Sequence, residues 1–277
     1  MSYFQKIIKI LKRDKQTLPR LILVDSTEKC AGTSIKHILR NNFAEKNFFD
    51  LDNGDPPSES IRNYGIKCDI NFPQFMHKLK KDQSNFYEIY NRYINKRADW
   101  LLKNLKHHHD IQCIYGNGIM NTKLKKKLEK KYSIFYVKFF REPAERVAAE
   151  YFYVLKHKDH NLHKIAAECK DLNEYAKHDL RPKNRQSYSV FGNVSNTEIN
   201  DLKQKVEKEY GFIGFLDTFQ KDINVLSKIL NFKRIKNVRR NQTRKTKKER
   251  KLSDKFISLI KQNDEKDYLL YYLLKNK

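Results

Sequence analysis

A chain of 277 residues is long enough to bury about three quarters of its unfolded surface, so a core needs no disulfide or metal to hold it. Lys and Arg number 58 against 33 Asp and Glu, a formal charge of +25, while 39% hydrophobic and 12% aromatic residues exclude wholesale disorder. The surplus suits an anionic partner, whether nucleic acid, anionic membrane, polyanionic glycan or phosphorylated cofactor, although a general bias toward lysine also accounts for it.

Residues 1–17 read as a short basic helix, with Phe4, Ile7, Ile8 and Leu11 at helical spacing. It could touch a membrane surface, but packing on the domain is the expectation. Lys6, Lys9, Lys12, Arg13 and Lys15 interrupt any secretory signal, and no apolar run is long enough to cross a bilayer. A cytoplasmic location is expected. Leu21, Ile22, Leu23 and Val24 form an unbroken apolar strand. A polar turn follows, then a helix from Thr33 to about Asn42, with Thr33 or Ser34 as its cap. Residues 50–80, punctuated by Asn53-Gly54-Asp55-Pro56-Pro57, read as an irregular insertion. Phe86, Ile89, Tyr90, Tyr93 and Ile94 mark one face of a long helix from about Gln83 to Lys106.

Residues 111–115 form a second strand, ending at Gly116-Asn117-Gly118, and a basic helix spans 121–131. Residues 133–140 form a third strand, and Pro143 opens a helix to about Lys156. Residues 158–198 are mixed and polar. Residues 211–215 form a fourth strand. Asp217 then caps a helix whose Phe219, Ile223, Leu226, Ile229 and Leu230 face the core. A dense basic stretch, 233–251, precedes two closing helices. Strand–helix alternation without a repeat predicts an α/β fold, one domain from 1 to 277 with a central parallel sheet flanked by helices. Cys30, Cys68, Cys113 and Cys169 lie far apart and read as free thiols. His107-His108-His109-Asp110 has no second cluster at zinc spacing, so no metal is expected.

The turn after the first strand reads Glu28-Lys29-Cys30-Ala31-Gly32-Thr33-Ser34. A small-residue turn with a lysine, then hydroxyls opening a helix, is the layout of a phosphate cradle. A plain capped helix is the alternative. It is not a Walker A sequence, because Lys29 precedes Gly32 instead of following the second glycine. A second segment, Phe139-Phe140-Arg141-Glu142-Pro143-Ala144-Glu145-Arg146-Val147-Ala148-Ala149-Glu150-Tyr151-Phe152-Tyr153, leaves a strand and enters a helix. A surface pair of Arg141 with Glu142 or Glu145 is the alternative to a ligand contact at the strand end.

Together the two segments resemble, in order and spacing, motifs of sulfotransferases that use 3′-phosphoadenosine 5′-phosphosulfate (PAPS). These are P-K-[TC]-[AG]-[GS]-T-[ST] and R-[DE]-P-x-x-R-x-x-S-x-[YW]. The likeness is to the carbohydrate branch, with the heparan sulfate 2-O- and 6-O-sulfotransferases and bacterial relatives. Asn184-Arg185-Gln186-Ser187 with Gly192, Tyr210-Gly211-Phe212-Ile213-Gly214-Phe215 with Phe219, and Asn263 through Asp267 to Leu270-Tyr271 are similar to later family segments. The resemblance spans about residues 20–275.

The resemblance implies a P-loop-like domain, PAPS as donor, no metal, and a hydroxyl of an acidic oligo- or polysaccharide as acceptor. Nucleic acid is not expected as a partner. Lys29 would neutralise charge on the leaving group, and the backbone from Cys30 and Ala31 through Gly32, Thr33 and Ser34 would hold the 5′-phosphate. Arg141 would pair with the 3′-phosphate. Arg239-Arg240-Asn241-Gln242-Thr243-Arg244, within 233–251, is similar to the loop that closes over the nucleotide.

Three departures stand out. Ala149 replaces a serine that contacts the 3′-phosphate, and Glu28 replaces a proline. The 2-O-type enzymes carry a base in a Gly-His pair, which here is Gly116-Asn117, and an amide cannot accept a proton at neutral pH. The 6-O-type string H-[LI]-[VL]-R-N matches His37-Ile38-Leu39-Arg40-Asn41, one residue closer to the lysine, making His37 the candidate base and Glu28 the second. A non-catalytic binder of nucleic acid or sulfated glycan is the alternative function. A nucleotide or sugar kinase is disfavoured by the position of the lysine.

Overall fold

The computed structural model describes residues 18–50, 101–103, 110–117, 123–160, 162–192, 198–235 and 252–276, with positions 92, 95 and 99. Strands β1 (Arg20–Ser26), β2 (Phe48–Asp50), β3 (Cys113–Asn117), β4 (Ser133–Phe140) and β5 (Phe212–Phe215) form one sheet, in the order β2-β3-β1-β4-β5. Every pairing is parallel, with Ile22 of β1 between Cys113 of β3 and Phe135 of β4. The all-parallel sheet has both faces covered, which explains the near-continuous apolar run of β1.

Alternation along the strands divides the core. Leu21, Leu23, Tyr136 and Phe140 face one layer, with α2 (Lys123–Glu129), α7 (Ile199–Glu209) and α10 (Glu265–Lys275). Ile22, Val24, Phe135, Val137 and Phe139 face α1 (Gly32–Asn42) and α8 (Phe219–Leu230). A third cluster joins α3 (Pro143–Lys156), α4 (His163–Glu168), α5 (Leu172–Lys177) and α9 (Asp254–Asn263), through Val147, Tyr151, Ile165, Tyr175, Phe256 and Ile260. No described helix is long and apolar enough to cross a membrane.

The α/β class and the parallel sheet are as expected, and β4 and α3 match their predicted bounds. Pro143 is the first helical residue, and the Glu142 carboxylate accepts the Glu145 N–H at 2.7 Å. Elsewhere the structure corrects the expectations. The strand predicted at 111–115 runs two residues later, because its pairing with β1 continues to Ser26 opposite Asn117. Three-residue β2 carries no detectable period and was not anticipated. The polar stretch 158–198 holds α4, α5 and α6 (Arg185–Phe191), each too short to show an apolar stripe. Helix α7 was not anticipated either.

Two predicted caps are also replaced. Helix α1 starts at Gly32, so its N-cap is Ala31, and Thr33 and Ser34 lie inside the first turn. Thr218, not Asp217, is the N-cap of α8, and Asp217 accepts from Tyr271 at 3.1 Å and from Lys275. The basic helix at 1–17 and nearly all of the insertion at 50–80 lie outside the described residues, as do most of the helix at 83–106 and the stretch 236–251. Cys30, Cys113 and Cys169 are buried free thiols.

One buried charge pair ties the central strand β1 to its neighbour β4. Lys138 and Asp25 are register partners, both fully buried, with Nζ 2.5 Å from Oδ2. Tyr210 donates to the same carboxylate at 3.0 Å, and Lys138 also donates to Ser189 at 2.8 Å and Thr27 at 3.2 Å. Removing one partner strands a charge in the core, whereas removing both does not. Lys138→Met should therefore lose about 3–5 kcal/mol of stability in urea denaturation, and Asp25→Leu/Lys138→Met should recover most of it. Equal losses in the single and double variants would show that the pair is not the source.

Candidate active site

Parallel strands end on one edge, and because β1 and β4 are neighbours, the turns that follow them are adjacent. In the β1–α1 turn, Lys29 and Ala31 have positive φ angles of 66° and 65°, a left-handed conformation uncommon for residues with a Cβ. Such strain collects at functional sites, and alternating backbone of this kind turns N–H groups toward a common point. The helical ladder begins with the Ile35 N–H on the Ala31 carbonyl at 3.0 Å, so the amides of Gly32, Thr33 and Ser34 precede it. Glycine at position 32 leaves room for two side-chain hydroxyls. A Cβ there would lie 2.5 Å from the Tyr115 hydroxyl and 2.9 Å from Ser26 Oγ, two groups already hydrogen bonded to each other.

Lys29 extends from this turn with its Nζ 2.8 Å from the centre of the Tyr153 ring. Burial lowers its pKa from 10.5 to about 8, against the pull of Glu150 and Glu28 and with help from Arg141 and Arg185. Among the described residues no carboxylate pairs with it. The nearby carboxylates are bound elsewhere. Arg185 holds Glu28 at 2.5 Å and approaches Glu150 at 3.5 Å, and Glu150 also accepts from Arg146 at 2.8 Å and Tyr175 at 2.9 Å. Burial pushes Glu150 up, but Arg146, Arg185 and Arg181 outweigh it and hold the carboxyl at about 2.

Arg141 joins the two turns. Its guanidinium donates to the Lys29 carbonyl at 3.2 Å and to Glu145 at 3.2 Å, so the expected surface pair forms alongside a contact with the cradle. Its backbone N–H and carbonyl are both taken by the side-chain amide of Gln186, at 2.8 and 2.9 Å. The same amide oxygen accepts from Cys30 Sγ at 3.3 Å. Cys30 contributes backbone to the turn, and burial pushes its thiol up to about 11.

Gln186 is fixed in turn from the end of the chain. Asp267 accepts the N–H groups of Gln186 and Ser187 at 3.0 and 2.7 Å, and the Asn184 side chain accepts the Asp267 N–H at 3.1 Å. Asp264 accepts the Asn184 N–H at 2.8 Å and pairs with fully buried Arg181 at 2.5 Å.

The remaining sequence candidates are distributed unevenly. Glu28 is at the site but committed to Arg185. His37 lies on α1, its Nε2 3.0 Å from the Asn41 side-chain nitrogen, and it shares no hydrogen bond or ion pair with Lys29, Arg141 or Glu28. Ala149 is half-buried on α3, and Asn117 ends β3 opposite Ser26. Arg239, Arg240, Asn241, Thr243 and Arg244 lie outside the described residues, but the entry to their stretch is anchored. Asn42 accepts the N–H groups of Lys233 and Arg234 at 2.9 and 3.0 Å.

The structure adds residues that were not singled out. Arg185 and Gln186 lie within a segment already noticed, so their signal was present. Glu150 stands four residues after Arg146 on α3, a spacing that signals an ion pair. Tyr153 and His160 carry no pattern that distinguishes them. His160 accepts the Leu162 N–H at Nδ1 (3.2 Å), and burial lowers its pKa to about 4, so it is neutral at pH 7 with its proton on Nε2.

At the carboxyl edge of the sheet, a lysine with no carboxylate partner among the described residues stands beside the first amides of a helix and an arginine clamped through its backbone, an arrangement whose chemistry suits an anion. The family model described as the sulfotransferase family matches residues 20–273, and the chain belongs to that family. No curated protein and no solved structure matches it. Membership places the chain among enzymes of sulfuryl transfer, a family that generally uses PAPS as donor.

The low pKa of Lys29 has a measurable sign. A cation that loses its proton near pH 8 releases an anion as the pH rises through that value. Sulfate, whose own charge is constant there, should bind with steady affinity at pH 6–7 and weaken above pH 8, by up to about tenfold per pH unit. Calorimetry on Lys29→Met should show weaker binding without that slope. A slope that survives in the variant would assign the titration to another group.

Proposed function

We propose that the chain transfers the sulfuryl group of PAPS to a hydroxyl of an acidic oligo- or polysaccharide. The observation that carries this reading is the juxtaposition of Lys29, on strained backbone and without a carboxylate partner, with Arg141, which donates to the Lys29 carbonyl. One cation serves the 5′-phosphosulfate, the other the 3′-phosphate. A +25 chain suits both a multiply charged donor and an acidic acceptor.

In this reading the amides of Ala31 through Ser34 hold the 5′-phosphate, and Lys29 neutralises charge on the bridging oxygen as the bond to sulfur breaks. Arg141 exchanges Glu145 for the 3′-phosphate, a task suited to its planar fork. Ala149 withholds the hydroxyl that relatives supply there, a loss of about 1 kcal/mol or slightly more. Arg239, Arg240, Asn241, Thr243 and Arg244, outside the described residues, belong to the segment that the family resemblance assigns to the nucleotide. The acceptor oxygen attacks sulfur in line as a base takes its proton, and adenosine 3′,5′-bisphosphate leaves. His37 is our choice of base. Glu28 is committed to Arg185 by an ion pair at 2.5 Å, so its carboxylate would have to leave that partner to meet the acceptor hydroxyl.

The donor assignment is tested by comparing adenosine 3′,5′-bisphosphate with AMP in thermal unfolding. The bisphosphate should stabilise the protein far more, by about 2.7 kcal/mol at a hundred times its Kd, and Arg141→Leu should erase the difference. Equal shifts in the parent protein would refute the reading and favour a non-catalytic binder.

His37→Ala should lower turnover by about 100-fold or more and remove the acid limb of the pH–rate profile, with bisphosphate affinity unchanged. Near-normal activity would exclude His37. Inactive Glu28→Gln that still binds nucleotide would then transfer the role to Glu28.

A further inference from the structure

Among the described residues, the contact that Lys29 makes through its ammonium is with an aromatic ring. Tyr153 lies on α3 and is 40% exposed, so the ring is not required to fill the core. It is nevertheless held in place. The His157 ring lies 4.0 Å away and tilted by 37°, and His160 stands perpendicular at 5.8 Å. His160 is itself pinned through Nδ1 by the Leu162 N–H, and as a neutral group it adds no positive charge beside Lys29. The charged groups around Lys29 are Glu28 and Glu150 on one side of the balance and Arg141 and Arg185 on the other. The first two are already bound by arginines.

A lysine in a partly dry turn has to keep its proton to bind an anion. A carboxylate partner would secure the proton but would also compete with the incoming phosphosulfate for the same charge. The negative face of an aromatic ring attracts an ammonium more weakly, and it neither neutralises the charge nor saturates the three donors. We propose that Tyr153 is a positioning residue for Lys29: its ring seats the charged ammonium at the mouth of the β1–α1 turn and yields it to the donor's phosphosulfate. The contact stands by itself, whereas the handover to a donor rests on the sulfuryl-transfer reading above.

Replacing the ring with an aliphatic side chain would change hydration and ring electrostatics together, with opposite effects on the lysine. A fluorinated series separates them. Tyr153→Phe is compared with 4-fluoro-, 3,5-difluoro- and 3,4,5-trifluorophenylalanine at position 153, which keep the shape and progressively remove the ring's negative face. The pKa of Lys29 is read by competitive acetylation with acetic anhydride from pH 6 to 11, followed by mass spectrometry of its peptide. Wild type and Tyr153→Phe should titrate together near 8, and the pKa should fall stepwise by about one unit, a tenfold change, across the series. An unchanged pKa in all the rings would overturn the proposal. So would a departure of Tyr153→Phe from wild type as large as the whole series, because the hydroxyl would then be the partner. Adenosine 3′,5′-bisphosphate and PAPS are added to wild type as a second arm. Protection of Lys29 by PAPS supports the handover. A graded series without protection by either nucleotide overturns the handover and the donor reading together, and a flat series with protection overturns the seat alone.

Discussion

The pairing of Asp25 with Lys138 is the constraint on which the site depends. Both charges are fully buried and in register, on the central strand β1 and its neighbour β4. The pair is a device of register more than of stability, since a one-residue slip of β4 would leave two charges unpaired in the core. It also reaches forward. Thr27, which opens the β1–α1 turn, and Ser189 of α6 are hydrogen bonded to each other at 2.9 Å and to the same ammonium. The pair therefore ties the strand ends, the start of the turn and a helix from later in the chain.

The second support comes from the far end of the chain. Asp264 and Asp267 take the amides of Asn184, Gln186 and Ser187, and Gln186 then holds the backbone of Arg141 and the thiol of Cys30. Buried polar groups are stable only when partnered, and here partners from four separate segments satisfy one another. The Asn184–Ser187 and Asn263–Tyr271 segments are in this light one clasp under the site.

Electrostatics at the site follow from the same economy. Arg146 and Arg185 occupy Glu150 and Glu28. Lys29 is left over, with an aromatic ring as its neighbour. Arg146, which pairs with Glu150 through Nη1, has Nε and Nη2 buried without a protein partner among the described residues.

The amino-acid sequence by itself determined the α/β class, the bounds of β4 and α3, the two motif-bearing turns and the family resemblance, while the sheet order made those turns adjacent. These are local matters: an apolar run, a Pro at the first helical position, a lysine among small residues before a helix. It did not reveal β2, α4 through α7, or the role of Ala31 as N-cap, because three- to seven-residue elements carry too little period and polar stretches take their helicity from packing. Lys138 was invisible inside a strand of apolar neighbours, since only its partner across the sheet makes a buried lysine tolerable. Tertiary structure alone decided that Glu28 pairs with Arg185, 157 residues away, and that Tyr153, itself packed against His160, meets Lys29. Charge pairing of this kind depends on distance in space and on exclusion of water, and neither is written in the spacing of residues along a chain.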